Sequence, residues 1–169
     1  MIYTVAQIIG FIAFMYSLIA YHRKDKKTIL SNMVISNILN LIHYILLGAF
    51  SGCITKLLAI LRDYFIILKE KYNKLSNLFY LIMFIILYII AAIFTYNSIL
   101  SILPLVAAII YIIFIWNGNE IIIKKTAFFC YFLWLIYNIF VLSIAGILSN
   151  IISIISTLIA IINIKEEGK

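Results

Sequence analysis

Three charged side chains interrupt one apolar stretch of the chain, CITKLLAILRDYFIIL. If this stretch spans a membrane, each charge costs about 2.5–3.5 kcal/mol at the bilayer centre and should face protein or a water-filled cavity. Lys56 and Asp63 share a helix face, whereas Arg62 is rotated by roughly a third of a turn from it. The pattern predicts a site for an anionic or zwitterionic solute, with Lys56 as counter-ion. The alternatives are a structural ion pair, or an Arg62 side chain that extends to lipid phosphates.

Other polar side chains within apolar stretches are further candidates for solute contact. Trp134 lies in mid-stretch, although tryptophan usually gathers at membrane interfaces, and Asn138 follows one turn later. Asn150 belongs to the last apolar stretch. Trp134 is equally suited to helix packing, and asparagines buried in a membrane often hydrogen-bond a neighbouring helix.

Asn40, His43 and Gln7 complete the set of candidate residues. We expect Asn40 to hold the solute. His43 could couple protons to transport, but a histidine satisfied by a neighbouring asparagine or a backbone carbonyl is the commoner case. Gln7 either lines a cavity or links two helices.

The elements that position these residues must be membrane helices. The 169-residue chain is 66% hydrophobic and 11% charged, with a mean hydropathy of +1.19. In soluble domains about 45–50% of the residues are apolar and about 25% are charged. The net charge of +7 resides in short loops between apolar runs, so we expect membrane lipids and no nucleic acid as partners. Catalytic triads, intramembrane carboxylate pairs, metal-ligand spacings and phosphate-binding loops are missing from the sequence, and Cys53 and Cys130 suggest no disulfide. We therefore expect no enzyme activity, metal or cofactor.

Charges and turn residues divide the chain into seven predicted spans, since a helix needs about 20 residues to cross a bilayer. The spans cover approximately residues 2–21, 29–48, 52–69, 78–96, 98–116, 126–143 and 147–164. The predicted fold is an all-α integral membrane protein with seven transmembrane helices. The first span is expected to be retained, because MIYTVAQ lacks the basic region of a signal peptide.

The basic residues favour one orientation of these spans. Lys56 and Arg62 lie within the third span, and the other Lys and Arg residues fall on one side of the membrane. They are Arg23, Lys24, Lys26, Lys27, Lys69, Lys71, Lys74, Lys124, Lys125, Lys165 and Lys169. The positive-inside rule then places the N-terminus outside and the C-terminus in the cytoplasm.

An interval of 94 residues, which separates Gly52 from Gly146, superimposes spans one to three on spans five to seven. Polar residues coincide at this interval. Thr55, Lys56, Ala59, Arg62 and Asp63 align with Ser149, Asn150, Ser153, Ser156 and Thr157, and Asn40, His43 and Tyr44 align with Trp134, Tyr137 and Asn138. We therefore predict a three-helix unit over 1–75, a linker helix over 76–97 and a second unit over 98–169, related as parallel repeats around a polar cavity.

The whole chain resembles the YgjV-like family of small bacterial inner-membrane proteins, within the SWEET and PQ-loop superfamily of transporters. The segments that carry the resemblance are AQIIGFIAFMYSL, NLIHYILLGAFSGCITKLLAILRD and LWLIYNIFVLSIAGILSNIISIISTLIAII. The resemblance implies a 3-1-3 helix arrangement with an outside N-terminus. In SWEET-type half-transporters a tryptophan and an asparagine bind sugar, and Trp134 and Asn150 have the same spacing. The first unit departs from this pattern with Asn40 and Lys56, and the chain has no Pro-Gln pair.

Taken together, the residues predict a small polar-solute transporter, or a solute-binding membrane protein, with a central cavity between the two units. Asn40, His43 and Lys56 would hold the solute from one side, and Trp134 and Asn150 from the other, while spans one, two, five and six rock. The alternative is a non-transporting sensor or assembly protein of the same fold. The sequence leaves open the solute, the coupling ion and whether the chain forms a homo-oligomer.

Overall fold

The computed structural model describes residues 2–23, 25–71 and 78–167. Within these ranges the elements are α1 (Ile2–Tyr21), α2 (Lys26–Leu46), α3 (Phe50–Lys71), α4 (Leu78–Phe94), a 3₁₀-helix (Ile99–Ile102), α5 (Leu103–Ile115), α6 (Glu120–Phe140) and α7 (Ile144–Glu167). The predicted all-α class is confirmed. Three basic residues used for the orientation (Lys24, Lys74 and Lys169), and the predicted boundary between residues 75 and 76, lie outside the described ranges.

The helices other than α3 suit a membrane by length, composition or both, whereas α3 is too charged to meet the same criteria. Among the described residues, Ile2–Ala20, Lys26–Leu46 and Ile121–Phe140 are long and apolar enough to span a bilayer, and Leu78–Phe94, Ile99–Ile115 and Ile144–Ile159 are shorter apolar helices. Large apolar side chains such as Phe94, which is 83% exposed, cover the outside of the bundle. An apolar exterior of this kind fits a lipid environment. The number of membrane passes stays a prediction.

Two helices begin earlier than predicted because a polar side chain caps each of them. The Asp25 carboxylate accepts two backbone hydrogen bonds of 3.0 Å from the first turn of α2. Asn119 Oδ1 accepts one of 3.1 Å from Ile122, and α6 begins at Glu120 rather than near residue 126. Such caps satisfy backbone N–H groups that have no partner within the helix. Asp25 and Asn119 are themselves 94 residues apart.

The turn after α2 and the turn after α6 have the same backbone conformation. Gly48 has a φ of +67° and Leu142, again 94 residues later, a φ of +52°. Ala49 and Ser143 each donate a backbone hydrogen bond to the carbonyl five residues earlier, at 3.0 and 2.9 Å. A left-handed conformation suits glycine and is costly for leucine. Its recurrence at Leu142 indicates that both turns are the same structural feature.

The described helices other than α4 form a closed ring of neighbours. In order around the ring, α1 packs against α2, α2 against α3, α3 against α5, α5 against α6, α6 against α7 and α7 against α1. The remaining helix, α4, lies outside the ring on α3 and α5. Fully buried apolar residues from α2, α3, α5 and α6, among them Ile29, Ile66, Ile112 and Ile123, fill part of the interior. This arrangement turns the polar stripes of the ring helices toward one shared space.

Candidate functional site

A pocket of about 110 Å³ lies among the helices of the ring. Its lining comes from α1, α2, α3, α5, α6 and α7, with no residue of α4. Of the predicted site residues, the lining includes Asn40, Lys56, Arg62, Asp63, Trp134, Asn138 and Asn150. His43 and Gln7 are not part of it. The charged stripe of α3 and the polar stripe at the start of α7 therefore face the same pocket.

Lys56 reaches across the pocket from α3 to α6. Its Nζ lies 3.9 Å from the centroid of the Trp134 ring, a cation–π geometry worth about 0.5–2 kcal/mol, depending on desolvation. The Tyr44 ring stacks on the same indole, with centroids 5.7 Å apart. Among the described residues, Lys56 forms no salt bridge and no hydrogen bond. The indole ring is therefore the group that Lys56 contacts directly in this structure.

The other two charges that line the pocket, Arg62 and Asp63, neutralise each other. Arg62 Nη2 and Nε lie 2.7 and 2.8 Å from Asp63 Oδ1, and both side chains are buried. Asn37 of α2 donates a 3.0 Å hydrogen bond to the second carboxylate oxygen, Asp63 Oδ2. The Arg62 guanidinium also lies 4.8 Å from the centroid of the Tyr111 ring. In this structure Arg62 forms a buried ion pair with Asp63 rather than extending to the surface of the bundle.

Lys56 is consequently the uncompensated charge of the pocket. Asp63 is the one carboxylate among the lining residues, and it is engaged by Arg62. An ammonium group in a low-dielectric space is stabilised by an anion far more than it would be in water. A negatively charged group in the pocket would therefore compensate the charge of Lys56.

Asn150 presents a hydrogen-bond donor that the protein does not use. Its side chain is 6% exposed, and Nδ2 has no hydrogen-bond partner among the described residues. Leaving such a group unpaired costs about 1–3 kcal/mol. Asn138 and Asn40 differ, because Tyr44 donates to Asn138 Oδ1 at 2.7 Å and Asn40 Nδ2 donates to the Ser36 carbonyl at 3.0 Å. Of these three asparagines, Asn150 has the amide best placed to bind a ligand.

His43 and Gln7 lie where α1 and α2 meet the start of α7. His43 Nδ1 is 2.6 Å from the Ala6 carbonyl oxygen, and Nε2 is 2.8 Å from Ser143 Oγ. Because a carbonyl oxygen only accepts, this geometry places a proton on Nδ1. Gln7 Oε1 accepts the backbone N–H of Ala145 at 2.8 Å, within the first turn of α7. Both side chains tie helices together here, and their role in solute contact stays a prediction.

A family model described as bacterial inner membrane protein, Imp-YgjV, matches residues 4–167. The chain belongs to the Imp-YgjV family. No curated protein and no solved structure matches it significantly. The predicted family and the predicted location in the bacterial inner membrane are therefore confirmed. The placement of Imp-YgjV within the SWEET and PQ-loop superfamily stays a prediction.

The candidate list from the sequence missed several residues of the Imp-YgjV pocket. Ser36 lines it and donates a 2.8 Å hydrogen bond to the Ala13 carbonyl, and Asn37 binds Asp63. Both could have been found, because they precede Asn40 at helical spacing on α2.

Among the described residues, no three His, Cys, Asp or Glu side chains lie close enough together to hold a metal ion.

Proposed function

We propose that this Imp-YgjV protein binds a small polar solute in the pocket and moves it across the bacterial inner membrane. The observation that carries the proposal is the unpartnered Asn150 amide, buried in a pocket that also holds the uncompensated charge of Lys56. Polar groups in a protein interior are nearly always paired, and ionisable groups within a membrane commonly mark solute or ion pathways. Trp134, Asn138 and Asn40 would complete the solute site. No enzymatic step or cofactor is part of this function.

The transport mechanism that we propose uses two parallel three-helix units, residues 1–75 and 98–169, with α4 in the linker at 76–97. The hydrogen bond between Tyr44 and Asn138 supports it. These residues are counterparts at the 94-residue interval, and contact between counterparts is expected beside a two-fold axis. Both lie in the last turn of their helices, α2 and α6, so the two helices end at one level. Units that point the same way are related as parallel repeats, as in the SWEET arrangement.

Alternating access would then require the junction between these helix ends to open. Tyr137 OH accepts hydrogen bonds from Ser51 Oγ at 2.8 Å and from the Gly52 N–H at 3.0 Å. His43, the counterpart of Tyr137, binds Ser143 at the start of α7. With the N-terminus outside and the C-terminus in the cytoplasm, this junction closes the outer end of the pocket. Rocking of α1, α2, α5 and α6 would break these contacts.

A non-transporting sensor or assembly protein is the second candidate function. The closed junction favours it, because Tyr44, His43 and Tyr137 all bond across to α6, α7 or α3. The single proline, Pro104, lies in the first turn of α5. It therefore kinks no helix interior and provides no proline hinge for a rocking movement. A protein of this kind would keep its polar core closed.

Uptake into proteoliposomes separates the two functions. We expect the purified protein to accumulate at least one member of a panel of sugars, amino acids and nucleosides. Lys56→Gln should lose that uptake while its level in the membrane is unchanged, because Lys56 acts on the solute. Loss of the protein itself in this variant would indicate a structural charge. If no member of the panel moves, the transport function is refuted.

A further inference from the structure

We propose that the solute of this pocket is a small organic oxyanion, a carboxylate or phosphate ester that also carries hydroxyl groups. Its acid group draws the Lys56 ammonium away from the Trp134 ring and pairs with it. This inference rests on the proposed function and names the chemical class of the solute.

A second lysine–tryptophan pair on α3 shows what a structural contact of this kind looks like. Lys69 Nζ lies 4.5 Å from the centroid of the Trp116 ring. It also donates to the Trp116 carbonyl at 3.1 Å and to Asn117 Oδ1 at 3.0 Å. An ammonium group has three hydrogens to donate, and the protein provides acceptors for Lys69. For Lys56 the described residues provide the Trp134 ring alone. The acceptors for Lys56 are therefore expected to come from the ligand.

The ring is a replaceable partner for an ammonium group. An indole face attracts a cation through its quadrupole, whereas a carboxylate or phosphate adds full opposite charge and hydrogen bonds of the charge-assisted kind. Arg62 is already engaged, because Nε and Nη2 bind Asp63 and Nη1 donates to the Tyr88 hydroxyl at 3.4 Å. A neutral solute would leave Lys56 on the ring. An anion would move it.

The movement of Lys56 also exposes the surface on which the rest of the solute can lie. Once the ammonium has left, the part of the Trp134 ring that it covered becomes free, while Tyr44 can stay stacked on the same indole. Asn150 Nδ2 can then donate to a hydroxyl or carbonyl oxygen of the same molecule. A cationic donor and an amide donor that line one pocket with an aromatic face select a ligand with an acid group and further oxygen atoms. A hydroxy acid or a sugar acid has this chemistry.

Tryptophan emission reports the predicted displacement directly. The chain contains two tryptophans, so Trp116→Phe leaves Trp134 as the one indole, and Trp134→Phe is the matched control. The proteins are placed in phosphatidylcholine nanodiscs, which supply no anionic lipid headgroup. They are titrated with acidic members and counterparts that lack the acid group: glucuronate and glucose 6-phosphate against glucose, and glycerate against glycerol, with inorganic phosphate as a separate arm.

We expect at least one acidic member to change Trp134 emission saturably while its neutral counterpart does not. Lys56→Gln should weaken that binding about 10-fold to 100-fold, the loss expected for a hydrogen-bonded charge pair. Lys69→Gln should leave it unchanged, and Trp134→Phe should show no emission change. Should Lys56→Gln fold poorly, Lys56→Arg retains the charge and should keep the preference for acids.

The outcomes separate this inference from the proposed function. Equal binding of acidic and neutral counterparts, unaffected by Lys56→Gln, overturns the oxyanion class and leaves solute binding intact. Binding of inorganic phosphate as tight as that of any organic acid overturns the organic part of the assignment. Failure of every acidic and neutral member to bind overturns both.

Discussion

Arg62 and Asp63 are adjacent in the chain, so their side chains leave α3 about 100° apart. The long arginine side chain nevertheless returns to the carboxylate, and Asn37 satisfies the second oxygen. Burial of both charges carries a desolvation penalty that their attraction offsets only when the geometry is good. Once the pair is formed, removal of one partner leaves a bare charge in the interior. We therefore expect the fold to require this pair, whereas Lys56 would serve the proposed ligand.

We predict that Asp63→Asn destabilises the folded protein by about 3–5 kcal/mol, because it leaves the buried Arg62 without its counter-ion. The midpoint of unfolding in detergent, together with the amount of protein in the membrane, measures this loss. Lys56→Gln is the matched control on the same helix. It removes one cation–π contact, so its cost should stay within about 2 kcal/mol. An Asp63→Asn protein as stable as the wild type would show that the pair does not support the fold.

Sequence spacing predicted that these three charges share one region, but not which of them pair. Lys56 and Asp63 lie on one face of α3, yet Asp63 binds Arg62, and Lys56 turns to Trp134 on α6. Likewise, the partners of His43 are Ala6 and Ser143. A partner on another helix depends on how the helices pack, which the local pattern of one helix does not contain.

At the scale of the helices, their ends are set by caps and turns rather than by charge. Lys124 and Lys125 were assigned to a loop because they are basic, but α6 includes both, and Lys124 is only 6% exposed. Asn119 starts the helix ahead of them. The long apolar centres of the helices were predicted well from hydropathy. The helix ends were predicted less well, because a capping side chain such as Asn119 can start a helix ahead of polar residues that hydropathy assigns to a loop.

Substitutions of Gly48 test the left-handed turn that links α2 to α3. A Cβ added at Gly48 would meet no atom within 4 Å, but the backbone φ of +67° at this position strains any residue with a Cβ. Gly48→Ala is therefore expected to cost about 1–2 kcal/mol. Gly48→Asn should cost less, because asparagine adopts this conformation more readily. Thermal unfolding of the two variants in detergent measures the difference. Equal stability of the Ala and Asn variants would show that backbone strain does not control this turn.

At the scale of the whole molecule, the backbone repeats more faithfully than the side chains. The caps and starts of α2 and α6, the turns after them, and the starts of α3 and α7 recur at 94 residues, whereas the starts of α1 and α5 do not. At the same interval Lys56, Arg62 and Asp63 align with Asn150, Ser156 and Thr157. The interval was visible in the sequence because polar positions coincide even where residue types differ. The closed ring was not visible, since it depends on contacts of α3 with α5 and of α1 with α7. In the proposed arrangement, a repeated frame with unlike side chains would give one pocket with two chemically different walls.

The orientation of this frame in the membrane can be tested at two exposed positions. Asn97 lies between α4 and α5, and Arg23 lies between α1 and α2. Basic loops are retained in the cytoplasm, so with seven spans Asn97 should face outward and Arg23 inward. The native thiols, Cys53 and Cys130, are buried and would be replaced by alanine.

In that background, we predict that a membrane-impermeant maleimide labels Asn97→Cys in intact spheroplasts. Arg23→Cys should react only after the membrane is permeabilised, because its loop carries the basic residues Arg23, Lys24, Lys26 and Lys27. Labelling of both positions from outside would mean that the number of passes between them is even rather than odd. The reverse pattern would place the junction of His43, Tyr44 and Tyr137 on the cytoplasmic side, and the end of the pocket that it closes would then be the inner one.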